Sequence, residues 1–279
     1  ALARAAAPYT YRRSGRSNRG SKLVVSYRIV QLTDCHLFAD AAHELRGVAT
    51  RPRFLLALET VRQQFPDADL IVLTGDTAHD ELTETYAQVR HALGDLIERV
   101  RVIPGNHDNR AALRDVFPQA TTGPADRVTF ECAWGDWRMI GLDSQRPGES
   151  PGTIGDEQRT WLRTRLESAP RQTLLFVHHP PIDVGSPWLD RIGLQDANEL
   201  QQIAADHGGL RLVCCGHVHQ ELAGRIGAAT VLTTPAVGPQ FQPRTDALVI
   251  KEGAAPALRL LELEEDGAWR SQVLRCGAT

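Results

Sequence analysis

The sequence predicts an α/β protein in which a parallel sheet is packed against a second sheet. Three observations predict this fold class: apolar strands alternate with amphipathic helices, polar clusters follow the strands, and the chain after residue 228 is rich in strands. Alternation of strand and helix is typical of parallel β-structure, because the helix carries the chain back to the start of the next strand. At 279 residues, the chain has an ordinary length for one such domain.

Buried strands are predicted from apolar segments that are short and are bounded by polar residues or glycine. In chain order they are YRIVQLT (27–33), ADLIVLTG (68–75), RVRVIPG (99–105), WRMIGLD (137–143), QTLLFVHH (172–179) and LRLVCCG (210–216). The second sheet is predicted from ATVLTTP (229–235), ALRLLELEED (257–266) and WRSQVLRC (269–276).

Helices are predicted between several of these strands. In the segment 53–65, the residues Phe54, Leu55, Leu58, Val61 and Phe65 recur at helical spacing and form one apolar face. The segments 83–98, 155–168 and 196–208 behave similarly, and the last of them ends at glycine, a common helix stop.

Charge is unevenly distributed along the chain. The first 33 residues contain seven basic side chains and no acidic one, so the rest of the chain carries the acidic excess. Residues 1–26 are small, polar and rich in Gly and Ser, which predicts a disordered basic N-terminal arm followed by one domain over 27–279. An acidic body is a poor binder of polynucleotides, so no stable nucleic-acid complex is expected.

The cellular compartment is predicted from what the sequence lacks. It has no run of about eighteen apolar residues that would cross a membrane, and no apolar core of a signal peptide follows the arginines of the arm. The five cysteines have no framework spacing, so we expect reduced thiols and a cytoplasmic protein.

Five polar clusters, each directly after an apolar strand, are the candidate functional residues. They are DCH (34–36), GD (75–76), GNHD (105–108), VHHP (177–180) and GHVH (216–219). Each cluster alone is more often a helix cap, a turn or a satisfied histidine. Together they place carboxylate, imidazole and amide groups at successive strand ends, where open α/β sheets bind ligands.

The residue types predict a metal centre. Imidazole and carboxylate suit borderline divalent ions, and an amide oxygen suits harder ones such as Mn²⁺ or Fe²⁺. Residues two apart in an extended segment point the same way, so we expect Asp34 to project with His36, and His217 with His219. The candidate ligands exceed what one tetrahedral zinc needs, and two ions that share one carboxylate would use them all. They are Asp34, His36, Asp76, Asn106, His178, His217 and His219.

These clusters, in this order, resemble the calcineurin-like metallophosphoesterase superfamily over residues 27 to 250. Within it, the chain is similar to the bacterial class III 3′,5′-cyclic-nucleotide phosphodiesterases, the cyclic-AMP type. The finer resemblance rests on LTDCHLF, HELRGVAT, LDSQ, SPWLD and TTPAVGPQFQP. Leu37 and GNHD depart from the phosphoprotein phosphatases, which carry Gly and GNHE there. Purple acid phosphatases have a Tyr ligand after the second cluster, which this chain lacks.

The resemblance implies a four-layer α/β/β/α metallophosphoesterase sandwich, in which two mixed sheets are flanked by helices. It implies two divalent ions, Fe or Mn above all, with Zn or Co as alternatives. One ion would be held by Asp34, His36, Asp76 and His219, and the other by Asp76, Asn106, His178 and His217. A bridging hydroxide would attack the phosphorus of a 3′,5′-cyclic nucleotide in line and convert cyclic AMP to 5′-AMP.

Two further residues are predicted to be catalytic. His107 is the candidate general acid for the leaving alkoxide, with a structural role as the alternative, and Asp108 could orient it. The predicted substrate contacts are His36, Asp76, Asn106, His107 and His219, with His43 and His79 as further candidates. His179 is predicted to be a structural neighbour, and Trp188 and Phe241 are weaker candidates for stacking a purine base.

The same residues are compatible with other functions. Other small diesters, such as 2′,3′-cyclic nucleotides or glycerophosphodiesters, would suit the same centre. A nucleic-acid-binding or nucleolytic protein that uses the basic arm is a second hypothesis. A small-molecule cyclic nucleotide is the expected partner, with no membrane contact and a homodimer as an open possibility.

Overall fold

The computed structural model describes residues 26–118, 126–168 and 172–277. The predicted arm therefore lies outside the described residues, apart from Ser26. The strands are β1 Ser26–Leu32, β2 Glu44–Leu45, β3 Val48–Ala49, β4 Leu70–Thr74, β5 Val100–Ile103, β6 Phe130–Trp134, β7 Trp137–Leu142, β8 Gln172–Val177, β9 Leu210–Cys215, β10 Leu222–Ile226, β11 Ala229–Thr233, β12 Ala257–Glu264 and β13 Trp269–Arg275. The α-helices are α1 Thr50–Gln64, α2 Thr83–Leu93, α3 Arg110–Val116, α4 Gly155–Glu167, α5 Pro187–Asp190 and α6 Ala197–Asp206, and a 3₁₀ helix spans Gly94–Arg99.

Two mixed sheets form the centre of the fold. The first has the strand order β13-β12-β1-β4-β5 and the second has the order β10-β11-β9-β8-β7-β6. The inner pairs β1–β4, β4–β5, β7–β8, β8–β9 and β9–β11 are parallel. Antiparallel pairs join β12 and β13 to the first sheet, and β6 and β10 to the second. The predicted parallel core is therefore confirmed.

Alternation along the inner strands produces four layers. In β4, Leu70 and Val72 face the second sheet, while Ile71 and Leu73 pack with residues of α1 and α2. In β8, Leu174 and Phe176 face the first sheet, while Leu175 and Val177 pack with α4 and α6. Because both faces of each inner strand are covered, these segments read as continuous apolar runs. The order helix, sheet, sheet, helix confirms the expected sandwich.

The predicted assignment of the last strands to a separate second sheet is wrong. β11 joins β9 in the second sheet, whereas β12 pairs with β1 and β13 extends the first sheet. The local pattern identifies a strand but not its partner, because pairing is decided by packing between segments far apart in the sequence. The hairpin β2–β3, the strands β6 and β10 and the short helices α3 and α5 were not predicted. The prediction that Leu55 belongs to the apolar face of α1 is wrong, because its side chain is 48% exposed.

All five cysteines lie among the described residues and all are free thiols, as expected. Over the same residues, no helix has the length and apolar character needed to cross a bilayer.

Candidate metal centre

The five polar clusters come together where β1, β4, β5, β8 and β9 end. Most of the candidate ligands are almost fully buried there: Asp34, His36, Asp76, His178, His217 and His219 are each at most 5% exposed. Asn106 and His107 are only partly buried. Buried polar groups are stable only when they have partners, so these side chains must interact with one another or with a bound ligand. The side of the centre next to Asn106 and His107 faces solvent.

The backbone at the centre is held in an uncommon conformation. Among the described residues, eight that are not glycine have a positive φ, and five of these are candidate ligands: Asp34 (53°), His36 (48°), Asp76 (51°), His217 (67°) and His219 (52°). Left-handed backbone costs about 1–3 kcal/mol per non-glycine residue and persists only where the surroundings impose it. Such residues cluster at functional sites, so the geometry indicates one independently of residue type.

This finding corrects the expected route by which the side chains converge. The pairs Asp34/His36 and His217/His219 were expected to share a direction because of extended backbone, but all four residues are left-handed. The outcome is nevertheless the expected one, since the pairs lie on the same side and Cys35 turns into the apolar core.

Main-chain hydrogen bonds between loops fix these conformations. Asp34 N donates to Gly75 O over 3.0 Å, and His36 N donates to Asp76 O over 2.8 Å. Gly216 N donates to His178 O over 3.1 Å, and His217 N donates to the Asp34 carboxylate over 3.1 Å. The loops after β1, β4, β8 and β9 therefore brace one another, and the site is ordered by the sheets rather than by one loop.

One group of four residues has the geometry of a cation site. Asp34, His36, Asp76 and His219 each place one oxygen or nitrogen within 4.8 Å of the others. His219 Nε2 lies 3.2 Å from Asp34 Oδ1 and 3.2 Å from His36 Nε2. This is the set that the family resemblance implies for one ion.

The second set lies against the first through Asp76. Asp76 Oδ2 is 3.5 Å from His36 Nε2 and 3.5 Å from His178 Nε2, so this one oxygen lies between the two sets. On the far side, His217 Nδ1 is 3.1 Å from Asn106 Oδ1. A carboxylate in this place is positioned to be shared by two ions.

The hydrogen bonds of the histidines show that the residues fit such ions. His178 donates from Nδ1 to Thr74 O over 2.8 Å, and His219 donates from Nδ1 to Pro239 O over 2.5 Å. Each Nε2 therefore points into the centre, where a cation can take the place of any proton that it carries. The Nε2 atoms of His178 and His217 are buried and have no hydrogen-bond partner among the described residues. A bound cation satisfies such atoms, and a carbonyl partner for the other nitrogen is usual for ligating histidine.

Electrostatics set the protonation of the centre. Burial acts to lower the pKa of His178, but Asp76 and then Asp34 outweigh it and raise this pKa to about 9. Burial also lowers the pKa of His36 and His217 well below the usual range. Although burial opposes it, His178 holds the pKa of Asp76 well below its ordinary value. The His178–Asp76 ion pair is thus the contact that a cation would replace.

Four glycines lie directly against the candidate ligands. A Cβ on Gly105 would overlap Asp76 Oδ1 and lie 2.7 Å from His178 Cε1, and a Cβ on Gly216 would lie 2.7 Å from Asp34 Oδ2. A Cβ on Gly75 (φ +97°) would lie 2.7 Å from Gly105 N, and a Cβ on Gly238 would lie 2.7 Å from Asp34 O. The absence of side chains at these positions is therefore what lets the loops meet.

Asp108 has contacts that differ from the expected ones. Its carboxylate accepts hydrogen bonds from Thr77 N (3.0 Å), Ala78 N (3.1 Å), Gly105 N (2.9 Å) and Tyr86 Oη (3.0 Å). Burial, followed by Asp76, raises its pKa to about 7. These bonds hold the two loops after β4 and β5 together, which is a different task from the predicted orientation of the His107 ring.

Tyr86 is a site-supporting residue that the sequence did not reveal. Its hydroxyl donates to Asp108 and accepts from Asn109 N over 2.7 Å. The helical spacing of α2 marks this position only as part of a buried face, so the sequence offered no signal for the hydroxyl's role.

The LDSQ motif after β7 is structural. Asp143 accepts hydrogen bonds from Arg110 at 2.6 and 2.9 Å, and this pair ties the start of α3 to the second sheet. Ser144 Oγ donates to His179 Nδ1 over 2.8 Å, and His179 Nε2 donates to Ser150 O over 3.0 Å. With both ring nitrogens engaged, His179 is the structural neighbour that the sequence predicted.

A row of rings borders the open side of the centre. His107 lies 4.4 Å from His79 between ring centres, at an interplanar angle of 29°, and His79 lies 5.2 Å from Phe38. His43 lies 4.1 Å from Phe38 between ring centres, at an interplanar angle of 41°. Burial, followed by His107, lowers the pKa of His79 to about 4. His79 is therefore a neutral ring at neutral pH and lies between the centre and the surface.

The aromatic candidates for base stacking lie on the other flank. Phe241 is parallel to His219, with ring centres 3.9 Å apart and an angle of 9°, and Trp188 meets Phe241 edge-on at 5.3 Å. One face of Phe241 thus covers a candidate ligand. Purine stacking by this pair stays a prediction.

Comparison with known proteins identifies the family. The sequence profile described as calcineurin-like phosphoesterase matches residues 27–221, which include every cluster of the centre. The chain belongs to this family. As a calcineurin-like phosphoesterase, it has curated relatives along almost its whole length. It is 36% identical over 253 residues to the 3′,5′-cyclic adenosine monophosphate phosphodiesterase CpdA of Escherichia coli (strain K12), a match that covers 90% of both chains. It is 34% identical over 251 residues to the CpdA of Pseudomonas aeruginosa, again with 90% of both chains covered.

Solved structures support the fold of this calcineurin-like phosphoesterase. A dimetal phosphatase from Danio rerio matches 90% of this chain and 99% of its own, with a TM-score of 0.64 and 15% sequence identity. At that identity the likeness concerns the fold alone, and it confirms the sandwich described above.

Proposed function

We propose that this protein is a phosphodiesterase that hydrolyses 3′,5′-cyclic AMP to 5′-AMP with two divalent metal ions. The position of Asp76 is the observation that carries the proposal, because its Oδ2 lies 3.5 Å from a histidine of each ligand set. The substrate class is supported by the curated relatives named as cyclic-AMP phosphodiesterases, which match the chain over 90% of its length.

The residues proposed to hold one ion are Asp34, His36, Asp76 and His219, and those proposed to hold the other are Asp76, Asn106, His178 and His217. Nitrogen and oxygen donors of this mixture suit iron or manganese, and they also accept zinc or cobalt. When bound, such ions draw negative charge from the phosphate and lower the pKa of water towards neutrality.

The chain's own groups do the remaining work. The exposed side at Asn106 and His107 admits the substrate, while the buried ligands keep bulk water from the reacting atoms. One proton of a water molecule passes to solvent, and the resulting hydroxide oxygen forms a bond to phosphorus as the bond from phosphorus to O3′ breaks. The proposed donor of a proton to O3′ is His107, and its position supports this role, since its backbone N donates to Asp76 Oδ1 over 2.9 Å and its ring borders His36 at 5.2 Å. Contacts to substrate from His36, Asp76, Asn106, His107 and His219 belong to the same proposal.

The substrate proposal is tested by product analysis. The purified protein is stripped of metal, reloaded with Mn²⁺ or Fe²⁺, and incubated with 3′,5′-cyclic AMP, 3′,5′-cyclic GMP, 2′,3′-cyclic AMP and a glycerophosphodiester. We expect 5′-AMP from 3′,5′-cyclic AMP in the presence of metal and none in its absence. Hydrolysis of only the other diesters would remove the cyclic-AMP proposal and retain a metal-dependent phosphodiesterase.

His107→Ala tests the division between ligands and proton donor. We expect both ions to be retained and turnover of cyclic AMP to fall by about 10²–10⁴-fold, the usual contribution of a general acid. The loss should be smaller for a p-nitrophenyl phosphodiester, whose leaving group needs no proton. Steady-state rates and metal content are measured for both substrates, with His91→Ala on the exposed side of α2 as the matched control. Loss of metal from His107→Ala would show that this ring is a ligand.

The cellular setting is also a proposal. Five free cysteines, four of them buried, support a reducing compartment, and we propose the cytoplasm. The homodimer stays a prediction, and a role for the basic arm lies outside the described residues.

A further inference from the structure

His79 is the candidate ring that the proposed mechanism does not use. It follows Asp76 by three residues, and its place is fixed by main-chain bonds: His79 N donates to Leu37 O over 2.8 Å, and Leu37 N donates to Thr77 O over 3.0 Å. The carboxylate of Asp80 accepts from Ala39 N over 2.7 Å and clamps the same two loops. The loops after β1 and β4 therefore deliver His79 to His36 in one fixed relation.

His36 needs a partner for its second ring nitrogen. Its Nε2 faces the centre, 3.5 Å from Asp76 Oδ2, so its Nδ1 carries the hydrogen and points away. Nδ1 lies 3.0 Å from His79 Nδ1, a hydrogen-bond distance. His36, His79 and His107 also place one ring nitrogen each within 4.8 Å of the others, so a third metal ion held by these rings is the alternative that the experiment below tests.

The partner of His36 also differs in kind from those of other ligands. His178 and His219 donate to main-chain oxygens, Thr74 O and Pro239 O, which no substitution removes. Among the described residues, the Nδ1 of His36 has a hydrogen bond only to the side chain of His79. The orientation of this one ligand is therefore open to a direct experiment.

The same ring supports His107. The two rings lie 4.4 Å apart at 29°, so one face of His107 rests on His79, which is itself backed by Phe38. His79 thus touches a candidate ligand with its edge and the candidate proton donor with its face.

We propose that His79 is a positioning residue, whose Nδ1 accepts the hydrogen of His36 Nδ1 and whose ring face orients His107. The first contact fixes the tautomer of His36 and directs its Nε2 lone pair at an ion. The second keeps His107 on the open side of the centre. This inference rests on the proposed function, since it gives His79 a task only if His36 binds metal.

Two variants separate the contacts. His79→Phe keeps a ring against His107 and removes the acceptor for His36. His79→Asn places an amide oxygen near the position of Nδ1 and removes the ring. His91→Phe is the matched control, because His91 is an exposed histidine on α2 that has no place in the proposed site.

Binding of Co²⁺ to the metal-free proteins is the main measurement, by calorimetric titration and visible absorption. We expect wild type and His91→Phe to bind two ions per chain. His79→Phe should weaken one of the two by about 10–100-fold, the usual effect of losing a partner of a ligating histidine, and should change the cobalt spectrum. His79→Asn should keep affinity close to wild type while kcat for cyclic AMP falls and KM changes little. Melting temperatures of the metal-free variants verify that each is folded.

The outcomes are distinguishable. Unchanged cobalt affinity in His79→Phe, or equal losses in both variants, would overturn the acceptor role. Unchanged kcat in His79→Asn would overturn the support of His107. A third ion in wild type that both variants lose would show that His79 is itself a ligand. Failure of wild type to bind two ions would instead refute the proposed function, and this inference with it.

Discussion

Asp76→Asn is expected to abolish high-affinity binding at both metal positions and to lower turnover by more than about 10³-fold, beyond the loss that follows removal of one transition-state donor. The amide has the shape of the carboxylate and keeps an oxygen to accept from His107 N, so the loop can retain its form. The amide lacks the negative charge of the carboxylate, whose Oδ2 lies 3.5 Å from the Nε2 atoms of both His36 and His178. Metal analysis after dialysis and steady-state rates measure the two effects.

Asp95→Asn provides the matched control for this experiment. Asp95 is an exposed carboxylate in the 3₁₀ helix Gly94–Arg99, between α2 and β5. It should retain two ions and full activity. If Asp76→Asn lost only one ion and kept the other at wild-type affinity, Asp76 would belong to a single site and the shared carboxylate would be disproved.

Gly105→Ala is expected to impair the centre without changing any candidate ligand. The added methyl group would overlap Asp76 Oδ1 and lie 2.5 Å from Asp76 N, so Asp76 or the GNHD loop must move. Overpacking of this kind costs about 1–3 kcal/mol of stability, and a displacement of about 1 Å at reacting groups can cost about 10²-fold in rate. We expect both effects, measured by chemical denaturation of the metal-free protein and by steady-state kinetics.

Gly208→Ala is the companion substitution, since a Cβ on Gly208 has no atom within 4 Å among the described residues. It should leave stability and rate near wild type. Wild-type activity in Gly105→Ala would mean that the loops have room to separate, and that their close approach is not required for the chemistry.

The candidate site could be predicted from the sequence because of a property of parallel sheets. Their strands end at a common edge, so polar residues that directly follow successive strands lie close together even when the loop conformations are unknown. This is why residues as distant in the chain as Asp34 and His219 could be assigned to one centre. The resemblance to the phosphoesterases added how the ligands divide, which spacing alone left open.

What could not be predicted depends on contacts that the side-chain pattern does not encode. The sequence predicts that Asp108 orients the ring of its neighbour His107. In the structure, the Asp108 carboxylate instead accepts hydrogen bonds from main-chain N–H groups of two loops. Every residue but proline carries such groups, so no sequence motif reveals which of them a carboxylate will find. The tyrosine that completes this arrangement, Tyr86, looked like any buried aromatic residue on a helix.

The prediction of which strands pair was wrong for a related reason. The alternation in β12 shows that it is a half-buried or buried strand, but both sheets offer an edge to it. Its pairing with β1, through Ile29 opposite Leu261, depends on the fit between segments more than two hundred residues apart. The left-handed ligands were likewise not foreseeable, since aspartate and histidine enter that region more often than most residues, but the sequence pattern does not mark where they do so.

The left-handed backbone at five ligands has an evolutionary consequence. Glycine or asparagine at those positions would relieve part of the conformational penalty, so selection for a stable chain alone would steadily replace the aspartates and histidines there. At these five positions, the residue that is best for backbone stability and the residue that can hold a cation are therefore different, and the sequence carries the second kind. A descendant freed from the need to hold a cation should lose these five residues earlier than it loses the sheets.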